Sequence, residues 1–289
     1  MHHIFSKIKK TYQNGDGFTK LLYLNISFFI IYSIVWVPFH EIQEVIKHLA
    51  FSSKTEILIN KPWTFISYMF IHIDLLHILS NMIFLHFGSK LFLKYFNSKQ
   101  LISTYIFGGI CGAILFKVLF NLFPEYPNFD AEKPLIGASA GVFAIMIAVS
   151  TYKPNHLIQI PFLFSVKLKQ IAWFAIILFY LGIGNSNNPG GHIAHIGGAI
   201  FGYLYIKQLQ KQNNFSINLF NIFNKIRNIF NTKKKIKPIY KRAKSDYEFN
   251  SEKAEKQKEI DKILDKIAKS GYDSLSKKDK ATLFSASKK

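Results

Sequence analysis

The sequence predicts an all-α membrane protein, with six transmembrane helices followed by a small helical C-terminal appendage. Three observations carry that expectation. The apolar residues, 49% of the 289-residue chain, gather in blocks instead of recurring periodically. Six blocks fill residues 21–206, each roughly as long as a helix needs to cross hydrocarbon. The formal net charge of +20 lies mostly after them. A large soluble domain could bury one such block, but six in succession with basic flanks argue against it.

The first block, residues 21–37, follows Lys7, Lys9, Lys10 and Lys20 in an N-terminal segment, 1–20. A secretory signal starts similarly, but no small-residue cleavage site follows and Pro38 and Phe39 come next, so it reads as a retained span. The next four blocks are residues 75–93, 101–123, 135–151 and 168–183. The sixth, 193–206, is short and has a polar start. The single cysteine, Cys111, lies inside a span, so no intramolecular disulfide can form.

Lysine placement predicts the orientation. The N-terminus, the second connection (Lys90, Lys94, Lys99), the fourth (Lys153, Lys167, Lys169) and the tail are basic and should be cytoplasmic. The third connection, 124–134, sets one lysine against Glu125, Asp130 and Glu132, and the fifth, 185–191, is uncharged. These two, with the longer and mixed first connection, 40–74, should be external, leaving both termini cytoplasmic.

After the membrane domain, 21–206, a linker spans 207–245. It has no acidic residue before Ser245 and accumulates lysine and arginine, so anionic lipid headgroups are its expected partner. Leu219, Ile222, Phe223, Ile226, Ile229 and Phe230 form one face opposite Asn221, Asn224 and Asn228, the pattern of a helix lying in the interface; a solvated basic linker is the plainer reading. No nucleic-acid motif accompanies the charge. Residues 246–289 read as a cytoplasmic helix-loop-helix extension. Ile260, Ile263, Leu264 and Ile267 form a stripe ending near Gly271, and Ser276 with Asp279 resembles a capping box before Leu283 and Phe284. Two such helices bury little alone, so they are expected to dock on a partner.

Polar residues inside spans are costly and mark function. They cluster at the starts of the second, fourth and sixth spans: His72, His77 and Asn81; Gly137, Ser139 and Gly141; His192, His195, Gly198 and Gly202. Counted along helices from Pro134 and Gly191, Ser139 and His195 share a depth of roughly 6–8 Å below their loops. A serine hydroxyl needs a base to become a nucleophile, and neutral imidazole is the usual one. Ser139 and His195 fit these roles without an aspartate. His77 and Asn81, four residues apart on one helix face, together with the Ser139 backbone N–H, could hold an oxyanion. Gly137 with Gly141 and Gly198 with Gly202 are spaced to let helices approach closely, and Phe143 is placed to pack against the imidazole.

Gly-Ala-Ser-Ala at 137–140, Ala-His-Ile-Gly-Gly at 194–198 followed by Gly202, and the spacing of His72, His77 and Asn81 together resemble the rhomboid family of intramembrane serine proteases, over roughly residues 15–210. The resemblance is to its bacterial type with a short cytoplasmic extension. It implies a six-helix rhomboid-like bundle in a bacterial inner membrane, with a Ser139–His195 catalytic dyad and no cofactor. His77 and Asn81 would line the oxyanion hole in a water-filled cavity open to the outside, with His72 in the site region. Single-span membrane proteins would be cut near the external face, at small residues and unstable helices. No mitochondrial presequence is evident. Three positions depart from the family pattern: Thr64 follows Trp63 where arginine is common, Phe92 stands four after Gly88 where glutamate is common, and Ala140 stands where glycine is frequent. The first two bear on loop geometry rather than on the dyad.

Other readings are weaker. Gly-x-Ser-x-Gly also describes the nucleophile elbow of α/β-hydrolases, but its strand-turn-helix context and later acid are missing. His192 and His195, three apart, could share a metal ion, yet His72 and His77 should diverge by about 140° on a helix and no carboxylate cluster joins them. A proteolytically inactive rhomboid-like adaptor or chaperone characteristically lacks the serine or the histidine, and both are present.

Overall fold

A computed structural model of the chain describes residues 2–35, 42–124, 134–159, 165–185, 188–211 and 246–286. It divides into two compact units, residues 1–231 and 232–289. In the first, α1 (His2–Asn14) leads into α2 (Gly17–Val35). Short helices α3 (Ile42–Leu49), α4 (Thr55–Asn60) and α5 (Thr64–Ser67) and a 3-10 turn (Tyr68–Phe70) follow. Then come α6 (Leu75–Phe92), α7 (Ser98–Leu122), α8 (Ser139–Tyr152), strands β1 (Leu157–Gln159) and β2 (Ser165–Lys167), α9 (Leu168–Asn185) and α10 (Pro189–Gln210). The protein is a helical membrane bundle in which α2 and α6 to α10 coincide with the six apolar blocks. Of these, α6, α7 and α9 are long and apolar enough to cross a bilayer unaided.

The helix starts follow from local chemistry. Asp74 accepts the His77 N–H at 2.7 Å and caps α6. Asn97 and Gln100 form a reciprocal capping box at α7. Asn188 accepts the Gly191 N–H at 3.0 Å with Pro189 at the first helical position, so α10 begins four residues before the expected sixth span.

α8 begins four residues later than the block at 135 suggests. Leu135 is taken out of the helix by an antiparallel bridge to Phe51, with N–H···O distances of 2.8 and 3.0 Å. Gly137 then turns the chain at a φ of 103°. The resulting 14-residue helix is only about 21 Å long, short of the roughly 30 Å of hydrocarbon, so its first residue starts inside the bundle.

The first connection, which charge counting weighs least, is densely built. Phe51, Tyr68 and Met69 are fully buried. Tyr68 donates its hydroxyl to the Gly109 carbonyl at 2.7 Å. Trp63 Nε1 donates to the His48 carbonyl at 2.8 Å, and Thr64, itself buried, donates to the Lys61 carbonyl at 2.7 Å. Lys117 of α7 donates to the Ser53 carbonyl and to Thr55 Oγ1 at 3.2 and 2.7 Å. Phe92, the other departure from the family pattern, is buried with its ring 4.6 Å from that of Phe96. The fourth connection carries a feature that the all-α expectation lacks: β1 and β2 pair antiparallel, with Ile158 opposite Val166.

In the second unit, α11 (Asp246–Ser270) ends at Gly271, whose φ is 76°, and a 3-10 turn (Tyr272–Ser274) leads to α12 (Lys277–Ala286). Ser276 and Asp279 exchange 3.2 Å hydrogen bonds as a capping box, and Lys266 reaches Asp279 at 3.2 Å. The Ser276 bonds, then Lys266, hold the Asp279 carboxyl below its ordinary pKa. Ile263 and Leu275 are buried, while Leu264 of the expected stripe is half exposed. The interfacial face at 219–230 and the acidic residues of the third connection lie outside the described residues.

Candidate active site

The site exists because α8 and α10 touch backbone to backbone. A Cβ on Gly198 would overlap the Ala140 carbonyl oxygen, and one on Gly202 that of Ala144. At that separation Ser139, the first residue of α8, and His195, six residues after Pro189 in α10, meet with Oγ and Nε2 2.6 Å apart. Both are only half-buried, so the pair is accessible. The two residues meet at one level, as their counted depths predict, although Ser139 reaches that level as the first residue of a late-starting α8 and not from within a longer helix.

Gly137 and Gly141 do not form the expected helical pair. Gly141 lies in α8 and gives room to α7, since a Cβ there would stand 2.6 Å from the Tyr105 carbonyl oxygen. Gly137 lies in the preceding turn, where a Cβ would stand 2.6 Å from His77 Nε2. It supplies a positive φ and a seat for that imidazole.

Two aromatic rings hold His195. Phe143, as expected, lies 5.0 Å away between centroids. Phe179 of α9 is closer, at 4.6 Å, and also touches Phe143 at 4.4 Å. Among the described residues nothing hydrogen-bonds the buried His195 Nδ1.

His77 and Asn81 border the same space. Asn81 is buried and donates one amide hydrogen to the His77 carbonyl at 2.9 Å, leaving the second for another acceptor. His72 stands behind them: its Nε2 accepts the Ala138 N–H at 3.4 Å and its ring lies edge-on to that of His77, 5.0 Å away. The expected 140° divergence of these two histidines fails because His72 precedes the Asp74 cap and is not helical. Gly137 also donates its N–H to the Tyr68 carbonyl at 2.9 Å. With the Phe51–Leu135 bridge, three contacts therefore tie the turn before Ser139 to the first connection.

A cavity of ≈ 380 Å³ opens on these groups, with Ser139, His195, His77, Asn81, Phe143 and Asn188 in its wall. The first N–H groups of a helix lack intrahelical acceptors and carry partial positive charge, so the start of α8 suits a negative oxygen beside Ser139. Among the described residues no group of three or more His, Cys, Asp or Glu could hold a metal ion; His192 lies 6.0 Å from His195, ring to ring, as a pair.

Residues 60–212 match the rhomboid domain family. The chain belongs to the rhomboid family. Rhomboid-like protein 12, mitochondrial, of Arabidopsis thaliana is 31% identical over 146 residues, which are 47% of this chain and 43% of that relative. The chain thus spans less than half the length of the curated relative it matches. Residues 244–289 match a second family, of unknown function.

Within this rhomboid chain, reading the sequence missed Phe179, Asn188 and the support from the first connection. Asn188 followed by Pro189 is a legible helix start. The apolar run from Phe65 to Ile71 marks burial outside a span. Phe179 carries no local signal, being one aromatic residue among several in its block.

Proposed function

We propose that this integral membrane protein is a serine endopeptidase that cuts membrane-spanning proteins near the external membrane face. The observation that carries the proposal is the 2.6 Å approach of Ser139 Oγ to His195 Nε2 at an open cavity bordered by His77 and Asn81. Ser139 passes its proton to neutral His195 as Oγ bonds to the scissile carbonyl carbon. The oxyanion is met by the Ser139 backbone N–H, the second Asn81 amide hydrogen and the His77 ring. Collapse breaks the C–N bond and His195 returns the proton to the leaving amine. Water, activated by the same imidazole, then releases the acyl group and restores Ser139. Phe143 and Phe179 hold the imidazole plane that an aspartate would otherwise orient.

Lysine placement supports cytoplasmic termini and an externally open cavity, and the resemblance to bacterial rhomboids supports a bacterial inner membrane. The basic linker, 207–245, would rest on anionic headgroups, with the 246–289 extension as a separate cytoplasmic module.

A fluorophosphonate probe tests the chemistry and its side together. It should label the wild type and fail on Ser139→Ala, and a membrane-impermeant version should label intact cells. Ser139→Ala and His195→Ala should each abolish cleavage of a single-span substrate, the double variant being no worse, because the pair acts as one unit. Retained proteolysis in Ser139→Ala would end the proposal. Stable binding of substrates without cleavage by the wild type would favour a rhomboid-like adaptor.

A further inference from the structure

A second cavity, of ≈ 550 Å³, lies at the opposite end of the bundle from Ser139. There α8 ends, α9 begins and α10 ends, and the Lys169 N–H bonds the Pro154 carbonyl at 3.1 Å to fix the start of α9 beside the end of α8. The wall is graded. Lys169 and Lys207 stand at the rim, Trp173 and Tyr203 one turn deeper, Ile176 and Ile200 deeper still. By helical rise, each step is roughly 4.5 to 6 Å. Its serine and threonine hydroxyls are spoken for: Ser150 and Thr151 donate to the carbonyls of Met146 and Ile147 at 2.8 and 2.7 Å. No Asp or Glu is among the lining residues, so its charge is purely positive. Lys207 Nζ lies 5.6 Å from the Tyr203 ring centroid, which draws the cation over the mouth.

We infer that this groove binds one anionic phospholipid, its phosphate between Lys169 and Lys207, its glycerol region beside Trp173 and Tyr203, and an acyl chain along Ile176 and Ile200. Charge complementarity selects the occupant. Cations at the rim call for an anion, the apolar depth calls for hydrocarbon, and tryptophan and tyrosine between them mark headgroup level in a bilayer. One molecule of the surrounding membrane has all three chemistries in that order. Occupancy is independent of whether Ser139 is reactive. It still touches the site's scaffold, because Ile176 lies one helical turn before Phe179, the α9 residue packed on His195.

The test uses the full chain in phosphatidylcholine vesicles carrying acyl-brominated phosphatidylglycerol or acyl-brominated phosphatidylcholine. The emission lost in Trp173→Phe defines the Trp173 signal. Phosphatidylglycerol should quench it at a far lower mole fraction, by about fivefold per lysine and so roughly 30-fold for the two. Lys169→Gln with Lys207→Gln should remove the preference, and arginine at both positions should restore it. Lys233→Gln, Lys234→Gln and Lys235→Gln together, which lower the charge of the linker, should leave it in place. Equal quenching by the two lipids in the wild type overturns the inference. So does a preference that disappears with the linker variant, a comparison that stands even if the Lys169 and Lys207 variants fail to fold. Quenching by neither lipid assigns the groove to protein, a second copy or a substrate helix, and overturns it as well.

Discussion

α8 and α9 both border the candidate site, yet they are packed in opposite ways. Nine of the 14 residues of α8 are buried, whereas α9 buries only Leu168 and Phe179 of its 18. The difference does not follow hydrophobicity, since lipid solvates an apolar helix as well as protein does. It follows side-chain size. α8 presents Ala140, Gly141, Ala144 and Ala148, which let α7 and α10 come to backbone distance, while α9 turns Trp173, Phe174 and Tyr180 outward. The approach of Ser139 to His195 accordingly belongs to the α8–α10 contact, and α9 contributes one ring beside it.

The contrast can be broken most severely at Gly198. Leucine there must push α10 off the Ala140 carbonyl and part the two side chains, where a displacement of only about 1 Å already costs on the order of 100-fold. Gly198→Leu should therefore cleave below detection and unfold at a lower temperature than the wild type. Wild-type cleavage by this variant would show that the close crossing is irrelevant to the pair.

Asn81→Ala leaves both packing faces of α8 untouched and removes one proposed oxyanion donor. Its kcat should fall on the order of 100-fold to 1,000-fold with unfolding unchanged. A matching turnover number would remove Asn81 from the site.

On α9 the expected effects are smaller and confined to one residue. Phe179→Ala removes an aromatic contact with His195, worth up to about tenfold in rate. Leu178→Ala, its half-exposed neighbour, should stay within about twofold. Comparable losses for the two variants, measured side by side on one substrate, would mean that α9 acts through its outer face and not through Phe179.

Where residues face each other along a helix, they were legible from spacing: His77 with Asn81, Ser139 with Phe143, His195 with Gly198 and Gly202. Periodicity carries that information directly. The start of α8 was not legible, because residues 135–138 are as apolar or small as the helix that follows, and a partner 84 positions earlier, Phe51, withdraws Leu135 from it. The role of the first connection was hidden for the same reason. Its hydrogen bonds run to Gly137 and Ala138 across more than 60 positions, and no local pattern encodes a contact of that range.

The sequence by itself determined that this chain is a helical membrane protein, where its apolar blocks lie, and which serine and histidine are set in small-residue contexts. Hydrocarbon thickness and helical periodicity are one-dimensional constraints, and a string of residues can satisfy or violate them visibly. Only the tertiary structure decided that Ser139 opens a helix instead of lying within one, that His72 buttresses the turn before it, and that Phe179 backs the imidazole. Each of these depends on a backbone group or a ring arriving from a distant segment, and the distance between segments is set by packing, which no single stretch of sequence contains.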